Sequence, residues 1–339
     1  MQVKSNKGHL IIFNSSVMRY VQEIMRKGIF LMLILVSPAL LAELTLEQDE
    51  EEDGPWIYAG FFSQQLNQVS FSNWVQGGEN SVASTSVINL GAKYKQDRLT
   101  WENRLNMAFG IIKTEDAPLR KNEDRLHLIS KAGREVSPHF STSFLLDFRS
   151  QFYKGYNYPN DSVVVSRFMS PGVLSLSLGM DYKPWEFLSV FLSPVSGKFT
   201  FVTDQDLANR GSFGVDPAEY DEDGNLISEG SNVNAEFGAL LNLVFEKEVF
   251  EDIQVESRLT LFNNLIDDDS SNRKNTDVDW ETTVNLKINR YITASLFVYM
   301  LYDHDTPIPV HDDDGVETGE YTRKMQVKQM LGIGLSYRF

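Results

Sequence analysis

The sequence predicts an all-β fold: a closed antiparallel transmembrane β-barrel of about twelve strands, with short periplasmic turns and long outer loops. Three observations carry that expectation. An apolar/polar alternation of period two recurs along the chain, which a helix would smear around its circumference. The connections between alternating segments are short and long in strict turn. No apolar run after Ala42 reaches the roughly 20 residues a membrane helix needs.

The elements follow in chain order. Residues 1–42 form an N-terminal extension and a secretory signal peptide, with basic Arg26 and Lys27, an apolar run from Ile29 to Val36, and a small-residue end at Ala42. Residues 43–55 form a short acidic periplasmic segment, and residues 56–339 the barrel. Strands are expected at 56–66, 82–95, 98–112, 122–134, 138–152, 172–183, 186–203, 232–246, 251–265, 276–288, 291–303 and 322–339. The last segment is the clearest, with Met325, Val327, Leu331, Ile333, Leu335, Tyr337 and Phe339 on one phase, broken only by Gln329. Short links follow every even-numbered strand, and the longest loops are 204–231 and 304–321.

A soluble sandwich also alternates, so the strand ends matter. Trp56, Tyr58, Tyr94, Trp101, Tyr182, Trp185, Phe245, Phe250, Tyr291, Tyr337 and Phe339 gather near the periplasmic ends, and Phe109, Phe152, Phe201, Phe262 and Tyr302 near the outer ends. Two such belts are the aromatic girdles of a membrane barrel. The expected location is the outer membrane of a Gram-negative bacterium.

Composition excludes several classes. The chain of 339 residues carries 31 Lys and Arg against 47 Asp and Glu, so nucleic acid is not an expected partner. It has no Cys, which removes disulfides, thiol chemistry and Cys-ligated zinc.

With the apolar phase against lipid, the lumen-facing set comprises Glu102, Arg104, Lys131, Asp147, Arg149, Lys198, Glu236, Glu256, Arg258, Glu281, Lys287, Lys324 and Lys328. Eight are basic and five acidic, which favours a polar pathway with some anion preference. The same mixed charges also suit a filling that pairs across the lumen. The first reading makes the protein a passive or weakly selective channel for small polar solutes. The alternative is a non-conducting barrel acting as a structural or interaction scaffold. A barrel-embedded hydrolase comes third: His127, His139, His304 and His311 sit in no catalytic or metal-binding spacing, so no enzyme is expected.

No cofactor is expected, with one exception. The acidic stretches Asp221–Asn225 and Asp312–Gly315 have oxygen ligands suited to Ca²⁺, although neither continues into an EF-hand and Asp-Gly is also a hairpin turn signal.

The C-terminal Leu331, Ile333, Leu335, Tyr337 and Phe339 resemble the signal that outer-membrane barrels present to their insertion machinery, which joins outer-membrane lipid among the expected partners. Four further stretches carry a family resemblance: Asn73-Trp74-Val75-Gln76-Gly77-Gly78-Glu79-Asn80-Ser81, Lys121-Asn122-Glu123-Asp124, Ser193-Pro194-Val195-Ser196-Gly197-Lys198 and Tyr302-Asp303. They are similar to an uncharacterised Bacteroidota family known as domain-of-unknown-function family 3078. The resemblance implies source and location, since that family has no assigned activity. In the first stretch the paired glycines suit a tight reversal, with a constriction at the mouth as the functional reading.

Overall fold

The computed structural model describes residues 54–70, 79–115, 117–158, 160–267, 270, 272–311 and 317–338. The expected signal peptide, nearly all of the expected acidic segment, the Trp74 stretch through Gly78, Asp312–Gly315 and Phe339 lie outside them.

Twelve long strands close into one barrel. They are β1 (Trp56–Val69), β2 (Ser81–Gln96), β3 (Leu99–Thr114), β4 (Arg120–Ser137), β5 (Phe140–Ser150), β6 (Gly172–Trp185), β7 (Leu188–Phe201), β8 (Val233–Phe250), β9 (Ile253–Asn264), β10 (Asp277–Lys287), β11 (Ile292–Tyr302) and β12 (Gln326–Arg338). Each pairs antiparallel with its chain neighbours, and β12 returns to β1. The expected elements are therefore present, and the last strand starts at Gln326 rather than residue 322.

One end of the barrel has only short turns. Asp97, His139 and Asp252 each take a positive φ there, of 53°, 71° and 65°, the left-handed geometry that tight hairpin turns require. The other end carries the long loops. Loop 202–232 has a small core of its own, in which Val202, Leu207, Ala208 and Val215 are buried around the helix α1 (Gln205–Asn209).

The outer wall is apolar. Leu66, Leu90, Phe144, Leu178, Leu192, Leu296, Leu331 and Leu335 are all exposed, far more than a water-facing surface tolerates in one continuous band. Near the short-turn end Trp56 packs against Tyr94 and Trp101, with ring centroids 5.1 and 5.7 Å apart, and Trp185 stacks on Phe187. Indole N–H groups in such a belt need partners that lipid cannot supply. Ser130 accepts from Trp101 and Ser257 from Trp280, each at 2.9 Å, which accounts for two hydroxyls on the lipid-facing phase.

Apart from register shifts beside the short turns, two bulges among the described residues reset the alternation within the wall. In β7 the pairs Leu178↔Val195 and Met180↔Leu192 leave one extra residue around Pro194. Proline has no N–H for the ladder, and the Ser193 hydroxyl instead donates to the Leu178 carbonyl at 2.8 Å. Because of that extra residue, Phe191 and Ser193 point inward before the bulge and Ser196, Lys198 and Thr200 after it, all buried. The second bulge places one extra residue at Asn122 of β4, between Gly110↔Glu123 and Ile111↔Lys121.

Candidate functional site

The lumen is crossed by polar contacts at several levels. In a ring of twelve, strands six apart stand opposite one another. Arg104 of β3 reaches Glu256 of β9 at 3.0 Å, and also Glu246 of β8 at 2.6 Å. His127 of β4 lies between Asp147 at 3.0 Å and Glu281 of the opposite β10 at 3.6 Å. Arg149 of β5 donates to Asp279 of β10 at 2.6 Å and lies 3.4 Å from the Tyr299 hydroxyl of the opposite β11. These contacts can be made only through the interior.

Between them sits an apolar layer. Ile129, Leu145, Phe191, Leu240 and Phe262 form one buried cluster. Phe262 is thus turned inward and is no part of an outer aromatic girdle, because it shares the phase of Glu256, Arg258 and Thr260.

Nearer the long-loop end, Lys198 is held by Glu236, Asp277 and Asp303 at 3.0, 2.7 and 2.9 Å. Lys328 pairs with Glu123 across the lumen at 2.6 Å. Towards the short turns, Lys131 meets Asp181 and Ser189, both at 3.0 Å, and Glu102 meets Lys93 and Lys183 at 3.1 and 3.2 Å. Arg258 is buried, 3.9 Å from Glu256.

Two members of the sequence-derived set stay apart from these groups. Lys287 is half-exposed at the short-turn end, 3.6 Å from Asp252. Lys324 is exposed and precedes β12, because the strand is shorter than expected. Conversely, Glu123, Arg125, His127, Asp181, Lys183, Glu246, Asp277, Asp279 and Asp303 join the interior network. Asp277 and Asp279 share the phase of Glu281 and were legible; Asp303 comes from a loop, and Glu123 depends on the Asn122 bulge. These additions reverse the balance, so that acids outnumber bases in the paired interior.

Above the Arg149 network the lumen widens into a chamber of about 380 Å³. Its lining includes Leu240, Phe262, Phe297 and Leu301 beside the charged Arg125, Lys198 and Asp303, and Phe213 of loop 202–232 contributes from the long-loop side. Phe213 is held at φ 61°, a strained conformation for a bulky residue, between Gly211 and Gly214 at φ 67° and 81°. Arg125 stacks over Phe297 at 4.1 Å. In the adjoining loop, burial pushes the Asp305 carboxyl above the usual carboxylate range, and the Asp303, Asp277 and Asp267 carboxylates push the same way.

The Lys121–Asp124 stretch ties this mouth together. Asp124 accepts from Lys121 at 2.8 Å and from the backbone N–H groups of Phe152 and Tyr153 at 2.7 and 2.9 Å, anchoring the loop after β5. Asp221, in the exposed ribbon, accepts from the N–H groups of Asp223 and Asn225 at 3.0 and 2.7 Å, as a hairpin turn requires. Those bonds, with the Asn225 side-chain amide first, hold its carboxyl below the ordinary range. His304 lies 3.2 Å from the Tyr302 hydroxyl.

The fold and its apolar wall define a closed twelve-stranded transmembrane β-barrel. Residues 66–156 match the model of a family described as a protein of unknown function (DUF3078). Among curated proteins none matches. Among solved structures the chain is similar to the translocator domain of the autotransporter NalP from Neisseria meningitidis, at 12% identity and TM-score 0.35 over 96% of this chain and 98% of that one. It is also similar to the COG4313 outer membrane channel from Pseudomonas putida F1, at 11% identity and TM-score 0.36 over 86% of this chain and 100% of that one. The NanC porin follows at 7% identity and TM-score 0.35, over 82% and 98%.

Proposed function

We propose that the protein is an outer-membrane β-barrel of a Gram-negative bacterium whose lumen is closed to axial diffusion, and that it serves as a membrane-embedded scaffold with a chamber facing outward. The short turns are periplasmic in this reading, the long acidic loops lie outside, and outer-membrane lipid and the insertion machinery are its partners. A Bacteroidota source goes with the sequence resemblance. No catalytic step and no cofactor belong to this function, and the acidic loops act as solvated turns.

The observation that carries the proposal is contact between opposite strands: Arg104 with Glu256, His127 with Glu281, and Arg149 with Tyr299. Side chains that touch across the full ring, with the apolar cluster of Ile129, Leu145, Phe191, Leu240 and Phe262 beside them, leave little room for a hydrated solute. This weighs against the passive channel that the charged phase suggested. It also supplies the paired filling that was the other reading of the same charges.

Liposome swelling tests the proposal. Vesicles containing the protein should not swell with arabinose, glycine or lysine hydrochloride as external solute. Swelling at the rate of an open general porin would return the passive channel to first place.

A further inference from the structure

The chamber holds opposite charges that the fold leaves unmatched. Six carboxylates line it against four Lys and Arg side chains, so its net sign is negative. Three of those four bases are held by acids: Arg149 by Asp279, Lys198 by Asp277 and Lys328 by Glu123. Arg125 is the fourth. Among the described residues it makes neither an ion pair nor a hydrogen bond, and its Nε is buried without an acceptor. It reaches from β4 across the lumen to lie over the Phe297 ring of β11 at 4.1 Å, a contact that engages none of its N–H donors.

The acids show the converse. Asp279 accepts through Oδ2 from Arg149 at 2.6 Å and from the Tyr299 hydroxyl at 2.8 Å. Its Oδ1 has no donor among the described residues, alone among the buried oxygens of the six lining carboxylates. A guanidinium and a buried carboxylate oxygen without partners are costly in a folded interior. The two do not meet. Arg125 lies at Phe297, whereas Asp279 bonds to Tyr299, two residues further along β11 toward the long loops. Two residues of strand are about 7 Å.

A free anion would enter against the net negative lining, and a simple cation would leave Arg125 unfilled. A solute that carries both signs, set apart by a similar distance, satisfies both groups at once. An extended dipeptide spans about 7 Å, and its side chains meet Leu240, Phe262 and Phe297. We infer that the chamber binds a zwitterionic dipeptide, with its carboxylate on Arg125 and its ammonium on Asp279 Oδ1. The chamber, at about 380 Å³, lies at the small end of ordinary ligand pockets and sets the upper size. Such binding rests on the outward-facing chamber proposed above, but not on closure of the lumen beneath it.

Isothermal titration calorimetry of the refolded protein in detergent micelles tests the site, because both ends of the barrel are then open to solution. Glycyl-leucine should bind. N-acetyl-glycyl-leucine, which lacks the ammonium, and glycyl-leucinamide, which lacks the carboxylate, should each bind at least about tenfold more weakly, as the loss of one charge-assisted contact requires. Leucine, whose two charges share one α-carbon, should also bind more weakly. Arg125→Gln breaks no ion pair among the described residues, so the barrel should fold, which heat-modifiable migration checks. The variant should weaken glycyl-leucine to the level of glycyl-leucinamide and leave the amide unchanged. Absence of glycyl-leucine binding, equal binding of the three peptides, or a loss in Arg125→Gln shared equally by peptide and amide would overturn the dipeptide site. Leucine binding as tightly as the dipeptide would overturn the two-point spacing. Selective dipeptide binding by a barrel that also conducts steadily would remove the closed scaffold and leave the site in place.

Discussion

Arg104 and Glu256 meet at 3.0 Å although their strands, β3 and β9, stand on opposite sides of the barrel. A second Arg104 nitrogen reaches Glu246 at 2.6 Å, so one guanidinium joins three strands. Such a contact is a bar across the lumen, and its worth depends on burial. The Arg104 side chain is 31% exposed and that of Arg149 is 18% exposed.

The first prediction uses that difference. Arg149→Ala leaves Asp147, Asp279 and Glu281 facing one another in the interior, and should cost about 3–5 kcal/mol of stability. Arg104→Ala, better screened by water, should cost about 1 kcal/mol. Heat-modifiable gel migration or thermal melting in detergent measures both; an equal loss would contradict the graded burial.

The Pro194 bulge makes the second. Pro194→Ala keeps the extra residue and should fold and insert nearly as wild type. Deleting Pro194 restores strict alternation and turns Lys198 to the lipid near the outer interface, at about 1 kcal/mol. Protease protection after refolding into vesicles separates the two. A deletion variant that inserts normally would show that the bulge does not set the phase of β7.

These elements also mark what the sequence alone reveals. Alternation locates all twelve strands because a wall with lipid outside and polar groups inside enforces it. Parity fails at bulges, which is why Phe191 and Lys198, seven residues apart on one strand, both point inward. Height along its strand alone puts Phe262 in the outer girdle, yet its phase puts it inside. The apolar cluster is illegible because each strand gives it a single residue, and only closure brings Ile129, Leu145, Phe191, Leu240 and Phe262 together. The role of His127 is hidden for the same reason: its partners come from β5 and β10.

The third prediction concerns Asp305. Its folded pKa lies above the unfolded value, so its negative charge opposes the folded loop at neutral pH. That opposition fades as pH falls through the raised folded pKa and is gone below the unfolded one. Asp305→Asn should therefore stabilise the loop at pH 7 and make no difference at pH 3. Hydrogen exchange of the Asp303–Thr306 amides at the two pH values checks this; destabilisation at pH 7 would contradict it.

Phe213 gives the fourth. If its ring covers the chamber from the long-loop side, Phe213→Ala should speed modification of a cysteine placed at Leu301 by a charged methanethiosulfonate reagent added from outside. The same cysteine behind the native Phe213 should react slowly. Equal rates would show that the chamber mouth is open past Phe213.

Axial closure is tested most directly by single-channel recording in planar bilayers. The wild-type protein should insert without steady conductance, and the Arg104→Ala, Arg149→Ala double variant should open discrete, long-lived steps. Steady conductance from wild type, unchanged in the double variant, would contradict the account.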